Sequence, residues 1–290
     1  MIPVGSADVE APGRIWFGYI AAVGIAVIGL FTLDPLAFGL AGVVLIATVL
    51  GEWYRGRQAA LAAAALEAVD LADLVSRWAR GWAYARGFPR PAAVPGGVRV
   101  DVGEPGRRVE WVATDDADTL AGLVDTARAT PEAWLSVVTE SPAGVRPWFV
   151  EAGLVANDGE ETLMSIDLAD HASKRLPEGY RAEVERDGGV ITVTVSAGDA
   201  VAAGGRIAVI GADAVADRVQ TDPDHRRRGL GGAVMSLLVT AAREAGAVHG
   251  LLVASELGER LYAGLGWRVE AGLVTARSAT PRTSVESRHG

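Results

Sequence analysis

The stretch TDPDHRRRGLGGAVM, residues Thr221–Met235, decides the fold that the sequence predicts. It follows a β-rich run, AVADRVQT, and it opens an amphipathic pattern that continues to Gly246. Three arginines and three glycines therefore fall in a loop between a strand and a helix. The first backbone N–H groups of a helix have no intrahelical partner and lie at the positive end of the helix dipole, so this loop is suited to binding an anion.

The composition of the loop favours a diphosphate as that anion. Glycines allow close approach of the backbone, and arginines add charge-assisted hydrogen bonds to phosphate. A Walker A loop requires Gly-Lys-Ser/Thr, which is absent, and a dinucleotide fingerprint requires a glycine where Val234 stands. A solvated arginine cluster is the alternative interpretation of the loop taken by itself.

Two motifs in the second half resemble the GCN5-related N-acetyltransferases, the GNAT superfamily. Arg226–Gly231 matches the family signature R/Q-x-x-G-x-G/A, and LLVASELGERLYAGLGW is similar to its fifth strand and following helix, with Leu261-Tyr262 and Gly266-Trp267 in place. The resemblance covers about Gly179 to Ser278 and is close to actinobacterial-type members. It implies an α/β fold with a mixed, strongly twisted sheet and flanking helices.

The resemblance also implies acetyl-CoA as co-substrate, without a metal. Tyr262 occupies the position of the family's general acid, and a packed helix tyrosine is the alternative. Ser255 stands where the family usually has asparagine, seven residues before that tyrosine. The residues predicted to bind acetyl-CoA are Val219, Gln220, Thr221, Arg226, Arg227, Arg228, Gly229, Leu230, Gly231, Gly232, Ala233 and Ser255.

The acceptor side departs from the family pattern. The motif does not fix the base that takes the amine proton; Asp217, on the predicted fourth strand, is the candidate, and a structural carboxylate is the alternative. Two strands between Tyr180 and Ser196 follow each other with only RDGG between them, where the family places two helices. The first half of the chain is therefore the candidate wall of the acceptor pocket.

That first half resembles a decayed copy of the second. WVATDDADTLAGLV at Trp111 aligns with RVQTDPDHRRRGLGGAV at Arg218, and the spacing from Phe149 to Gly153 equals that from Tyr262 to Gly266. The arginine–glycine loop is missing from the first copy, and chance similarity between two strand–helix units is the alternative explanation.

The N-terminal segment is apolar. Residues 15–33 and 36–51 carry no charge, and Asp34-Pro35 between them is a turn signal, so a transmembrane helical hairpin is predicted, with buried helices of a soluble core as the alternative. Arg14, Arg55 and Arg57 flank the two apolar segments, which places both ends in the cytoplasm by the positive-inside rule. The predicted location is the cell membrane, with the acetyltransferase domain cytoplasmic.

Composition excludes several classes of function. A net charge of −9 and a pI near 5 argue against nucleic acid as a partner. The absence of cysteine excludes disulfides and thiolate nucleophiles, and the four histidines show no metal-ligand spacing.

The predicted organisation has five parts. They are a hairpin (residues 1–57), a helix and linker (58–97), a degenerate GNAT-like half (98–173), an acetyl-CoA-binding GNAT domain (174–278) and a disordered tail (279–290). The helix is expected from about Gln58 to Arg86, with Trp78 and Trp82 on one face as core residues, and the linker is FPRPAAVPGG, residues 88–97.

The predicted function is transfer of an acetyl group from acetyl-CoA to a primary amine by direct attack. Small-molecule and peptide amines both stay open as acceptors, as does a homodimer. A catalytically silent acetyl-CoA-binding sensor or scaffold at the membrane is the second hypothesis, and a purely structural membrane-associated protein is the third.

Overall fold

The computed structural model describes residues 70–279. The predicted transmembrane hairpin, the first part of the predicted helix, residues 58–69, and nearly all of the predicted tail lie outside the described residues. Within 70–279, no helix combines the length and the apolar character needed to span a bilayer.

The first described element, helix α1, spans Leu71–Arg86. The Asp70 carboxylate caps it by accepting hydrogen bonds from the N–H groups of Ala72 and Asp73, at 3.0 and 3.3 Å. The helix ends at Gly87, whose φ of 72° is the left-handed conformation that glycine adopts without strain. Trp78 and Trp82 lie on its buried face, as the sequence predicted.

The first half of the chain alternates strands and helices. Its elements are β1 (Ala92–Val94), β2 (Gly97–Glu104), β3 (Arg107–Thr114), α2 (Ala117–Ala129), β4 (Ala133–Thr139), α3 (Pro142–Glu151), β5 (Leu154–Ala156) and β6 (Glu161–Asp167). The predicted linker, residues 88–97, is wrong in part: it contains β1, which forms a hairpin with β2 through a turn at Gly96, φ 77°. The proline and alanine residues of this segment show no alternation of apolar and polar side chains, so its sequence did not indicate a short edge strand.

The second half begins with a three-strand meander. Its elements are β7 (Arg181–Asp187), β8 (Val190–Ala197), β9 (Ala200–Ile210), β10 (Asp213–Thr221), α4 (Leu230–Glu244), β11 (His249–Ser255), α5 (Glu256–Ala263) and β12 (Arg268–Ser278). A tight turn joins β7 to β8, which confirms that the two helices usual in the family are missing from this point. The mixed α/β architecture with flanking helices is also confirmed.

The twelve strands within residues 70–279 all belong to one sheet. Its order is β1-β2-β3-β4-β12-β6-β11-β10-β9-β8-β7, and β5 pairs with the end of β12. Among the described strands, two neighbouring pairs are parallel, β3 with β4 and β10 with β11. Each parallel pair is joined by a helix, α2 or α4, because a parallel connection must cross from one end of the sheet to the other.

The two halves are interlocked through their last strands. Strand β6, from the first half, lies between β11 and β12 of the second half. Strand β12, from the second half, continues between β4 and β5 of the first half. The sheet therefore runs without interruption across the predicted boundary at residues 173–174, although the two halves follow one another in sequence.

Three apolar clusters cover the two faces of the sheet. Helices α4 and α5 pack against β8–β11, and helices α2 and α3 pack against β3, β4 and β12. Helix α1 covers the opposite face of the centre, where its tryptophans meet residues of β2, β10, β11 and β12 such as Val215 and Leu273. This single helix therefore bridges the two halves.

The contact of α1 with the sheet is close at one point. A Cβ atom added to Gly81 would lie 2.1 Å from Cγ2 of Val215 on β10, so the backbone of the helix rests directly on that side chain. The absence of a side chain at residue 81 sets the height of α1 above the sheet.

We expect Gly81→Ala to lower the free energy of unfolding by about 1–2 kcal/mol, because the overpacking penalty exceeds the gain in helix propensity. Gly122→Ala is the matched control: this glycine lies in α2 with no atom within 4 Å of its added Cβ, so the same change should stabilise by up to about 1 kcal/mol. Thermal unfolding of the two full-length variants measures the difference. Equal stabilisation by both changes would contradict the close contact.

Candidate active site

The central feature of the site is the parting of β10 and β11. Their parallel pairing covers only Asp213–Ala216 with His249–Leu252, although both strands continue beyond it. A β-bulge lies between Asp217 and Gln220 on β10, and Arg218 within it has a φ of 53°. Beyond Ala216 the facing backbone edges of β10 and β11 are thus not hydrogen-bonded to each other. The two strands diverge and leave a wedge-shaped gap between them, which we call the wedge.

A cleft of about 660 Å³ occupies the wedge on the side of α4 and α5. Its outer end is the arginine–glycine loop, in which Arg227 and Gly229 have φ values of 59° and 82°. Gly229 is the N-cap of α4 and offers no side-chain cap, so the first N–H groups of the helix are left to a ligand. The loop geometry is that of an anion-binding helix N-terminus.

The structure brings most of the predicted site residues together around this cleft. Arg228 and Ala233 do not line it: the Arg228 guanidinium donates to the Tyr180 hydroxyl (3.2 Å) and the Asp224 carbonyl (3.0 Å), and Ala233 is fully buried. The lining includes Asp217, Val219, Gln220, Thr221, Arg226, Arg227, Gly229, Leu230, Gly231, Gly232, Ser255 and Tyr262.

Ser255 lines the cleft and also caps a helix. It is the N-cap of α5, and its hydroxyl accepts a hydrogen bond from the Gly258 N–H at 3.4 Å. The serine that replaces the family's asparagine therefore starts the helix that carries Tyr262.

Tyr262 lies at the inner end of the cleft with a 7% exposed side chain. The absence of a side chain at Gly258 gives its ring room, since an added Cβ there would lie 3.1 Å from Cε2 of the tyrosine. Burial and, secondarily, the Asp217 charge raise the pKa of Tyr262 to about 12. The phenol consequently keeps its proton throughout the physiological pH range.

Asp217 lies where β10 and β11 part, and an ion pair with Arg86 joins it to α1. Its Oδ2 and Oδ1 accept hydrogen bonds from Nε and Nη2 of Arg86, both at 2.9 Å, and the two side chains are 10% and 20% exposed. Such a bidentate pair occupies both oxygens of the carboxylate. The predicted role of Asp217 as proton acceptor stays a prediction, and this pairing weighs against it.

A second cavity, of about 240 Å³, opens on the opposite face beneath α1. It shares Ala216, Asp217 and Val253 with the cleft, so the two spaces meet where β10 and β11 part. We call it the acceptor-side cavity. Its other lining residues are Trp78, Trp82, Arg86, Arg107, Glu110, Trp134, Ser136, Asn157, Glu161, Leu273 and Thr275.

The walls of the acceptor-side cavity are ordered by an aromatic and ionic network. The Arg107 guanidinium lies 5.2 Å from the ring centroid of Trp82 and 4.8 Å from that of Trp134, and it donates to the Glu110 carboxylate. The other oxygen of Glu110 accepts from the Ser136 hydroxyl at 2.6 Å. Sequence reasoning missed this network; its one signal was Glu110, a charge inside an apolar strand pattern.

The first half repeats the order of the second but fills its equivalent loop. Both halves run strand, helix, parallel strand, helix, which supports the predicted repeat. At the N-terminus of α2 the Asp116 carboxylate accepts from the Thr119 N–H at 3.1 Å, so an acidic side chain occupies the place where an anion would bind. Phe149, the counterpart of Tyr262, is completely buried.

The sequence comparison identifies the part of the chain that carries this cleft. Residues 160–267 match the model of the Acetyltransferase (GNAT) family, so the chain carries a GNAT acetyltransferase domain and is an acyltransferase. The family uses acetyl-CoA. No curated protein sequence matches the chain.

Solved structures that are similar to parts of the chain are found as well. A GCN5-related N-acetyltransferase from Kribbella flavida is 19% identical over 70% of this chain and 95% of its own, with a TM-score of 0.53. One from Ralstonia eutropha JMP134 is 30% identical over 28% of this chain and 61% of its own (TM-score 0.27). A predicted acetyltransferase with acetyl-CoA from Clostridium acetobutylicum is 22% identical over 28% and 58% (TM-score 0.27).

We expect Gly231→Asp to weaken CoA binding by roughly 100-fold or more, because a carboxylate would face the diphosphate at the N-terminus of α4. The fold should tolerate the change, since the atom nearest to the added Cβ is at the flexible end of Leu261, at 3.0 Å, and the Thr221 hydroxyl is at an ordinary contact distance of 3.9 Å. Gly144→Asp, an identical change near the N-terminus of α3, is the control and should bind CoA normally. Calorimetric titration with CoA gives both affinities, and an unchanged affinity in a folded Gly231→Asp protein would contradict the anion site.

Proposed function

We propose that this protein is an acetyl-CoA-dependent N-acetyltransferase that acetylates a primary amine by direct attack. The observation that carries the proposal is the junction at Asp217, where the cleft on one face of the sheet meets the acceptor-side cavity on the other. A thioester and an amine can reach each other there from opposite sides.

The lining of the cleft suits each part of acetyl-CoA. Amides at Gly229–Gly232, with Arg226 and Arg227, are suited to the pyrophosphate. The free edge of β10 at Val219–Thr221 offers backbone groups to the pantetheine arm. A backbone N–H there would also polarise the thioester carbonyl as charge develops on its oxygen, and Tyr262 would return a proton to the departing thiolate.

A catalytically silent acetyl-CoA-binding protein is the second candidate, favoured by the missing helices between β7 and β8. The acceptor-side cavity argues against it, because α1 and strands of the first half provide walls where those helices are absent. Small-molecule and peptide amines both fit the proposed reaction.

We expect Tyr262→Phe to retain its affinity for acetyl-CoA and to lose turnover by roughly 10²- to 10⁴-fold, since the change removes only a proton donor. Tyr84→Phe is the matched control: its hydroxyl accepts from the Gly189 N–H at 3.1 Å, outside the lining of the cleft, and turnover should persist. Release of CoA with a broad amine panel measures turnover. Equal rates for Tyr262→Phe and the native protein would remove the tyrosine from the mechanism, and inertness of the native protein toward every amine would favour the silent module.

We further propose that the apolar segments at residues 15–33 and 36–51 tether the protein to the cell membrane, with the acetyltransferase domain in the cytoplasm. Their length and lack of charge support this, as does the placement of Arg14, Arg55 and Arg57 at the ends. Asp34 at the turn is tolerated near the interface, whereas in mid-bilayer it would cost about 2.5–3.5 kcal/mol.

Full-length protein should therefore sediment with membranes, stay there through a high-salt wash and be released by detergent. Fractionation followed by immunodetection measures this. Protein that stays in the supernatant without detergent would show that the two segments do not form a tether.

A further inference from the structure

The charged side chains that line the acceptor-side cavity form ion pairs with each other, except for one carboxylate. Five charged side chains line it, and four of them form two ion pairs, Arg86 with Asp217 and Arg107 with Glu110. The fifth, Glu161, has no side-chain hydrogen bond or ion pair with any residue between 70 and 279. The cavity consequently has a net charge of −1 when Glu161 is ionised.

The interlocking of the two halves places Glu161 in the wall of the acceptor-side cavity. It is the first residue of β6, and its backbone pairs with Ser255 of β11 on one side and Leu273 of β12 on the other. Along β6 the side chains alternate, so Glu161 and Leu163 face α1 while Met164 faces α4 and α5. Glu161 therefore shares the cavity with Asp217, from the neighbouring half.

The surroundings of Glu161 make its carboxylate more basic than usual. Burial raises the pKa of Glu161, the Glu110 charge raises it further, and Arg107 opposes them. Arg86 and Asp217 are the other charged groups of the cavity and are paired with each other. A carboxylate of raised pKa is a better proton acceptor than an ordinary one.

We propose that the acceptor-side cavity binds a small aliphatic monoamine, with Glu161 binding its ammonium group and accepting its proton. This inference rests on the proposed function. A monocation neutralises the cavity, whereas a zwitterion leaves its charge of −1 and a dication reverses it. Trp78, Val253 and Leu273 provide apolar contact for an alkyl chain, and about 240 Å³ lies below the range typical of drug-sized ligands.

The proton transfers balance as follows. Glu161 takes one proton from the ammonium and releases it to solvent, which leaves a neutral amine. The lone pair of this amine attacks the thioester carbonyl carbon, so an N–C bond forms and the C–S bond breaks. The leaving sulfur takes the proton of the Tyr262 phenol, and the phenolate regains a proton from the adduct nitrogen. The products are the acetamide, CoA and one proton.

Three amines with the same four-carbon chain test the charge preference. Butylamine has a charge of +1, 1,4-diaminobutane +2, and 4-aminobutanoate is a zwitterion. We expect kcat/KM of the full-length protein for butylamine to exceed that for each of the others by at least about tenfold, since the mismatched charge would lie unpaired in the cavity. Equal or faster reaction of the zwitterion or the diamine would overturn the assigned substrate class.

Glu161→Gln tests the proton acceptor, and Glu160→Gln, the exposed neighbour, is its matched control. We expect Glu161→Gln to lower kcat with butylamine by roughly 10²- to 10⁴-fold and to keep its affinity for CoA. A base works in its deprotonated form, so the native rate should rise with pH through a pKa above that of an ordinary glutamate. This rise should be lost in Glu161→Gln and kept in Glu160→Gln.

The outcomes separate this inference from the proposed function. Acetylation of butylamine by Glu161→Gln at the native rate, with the same pH profile, would overturn the role of Glu161 and leave the transferase intact. Acetylation of amines from the broad panel but of none of the three four-carbon amines would overturn the substrate class alone. If the native protein binds CoA but acetylates no amine, the proposed function fails.

Discussion

The parting of β10 and β11 after Ala216 and Leu252 is the constraint on which the rest of the structure depends. Two parallel strands that stayed paired would leave no backbone free and no passage through the sheet. The bulge after Asp217 turns β10 away while β9 still pairs with its far end, so the sheet survives the opening. One departure from regular pairing thereby creates the cleft, the cavity on the other face and their junction.

The exchange of strands between the halves places a strand of the first half next to this opening. Because β6 pairs with β11 and β12, the free strand edge at the wedge is backed by a strand from the other half. The same pairing places Glu161 in the wall of the acceptor-side cavity. In the first half, the Asp116 carboxylate occupies the N-terminus of α2, and residues of this half, Glu161 among them, line the acceptor-side cavity.

Helix α1 covers the face of the sheet that carries the acceptor-side cavity. Gly81 lets its backbone rest on Val215, and Arg86 in its last turn reaches Asp217 beside the cleft. Burial alone lowers the pKa of Arg86, but its hydrogen bonds and charge interaction with Asp217 raise it overall, so the guanidinium keeps its charge. Helix α1 therefore supplies the cation that pairs with Asp217.

The sequence by itself determined the mixed α/β fold and the presence of the arginine–glycine loop between a strand and a helix, because each depends on local periodicity or on a motif within one strand–helix unit. It assigned β1 to a linker and gave no signal for β5, since the short edge pairings of these strands leave no periodic pattern. The tertiary structure alone decided the pairing of Asp217 with Arg86 and the place of Glu161 in the acceptor-side cavity. Strand order across a sheet and the docking of a distant helix depend on long-range contacts, and these have no signature in the spacing of neighbouring residues.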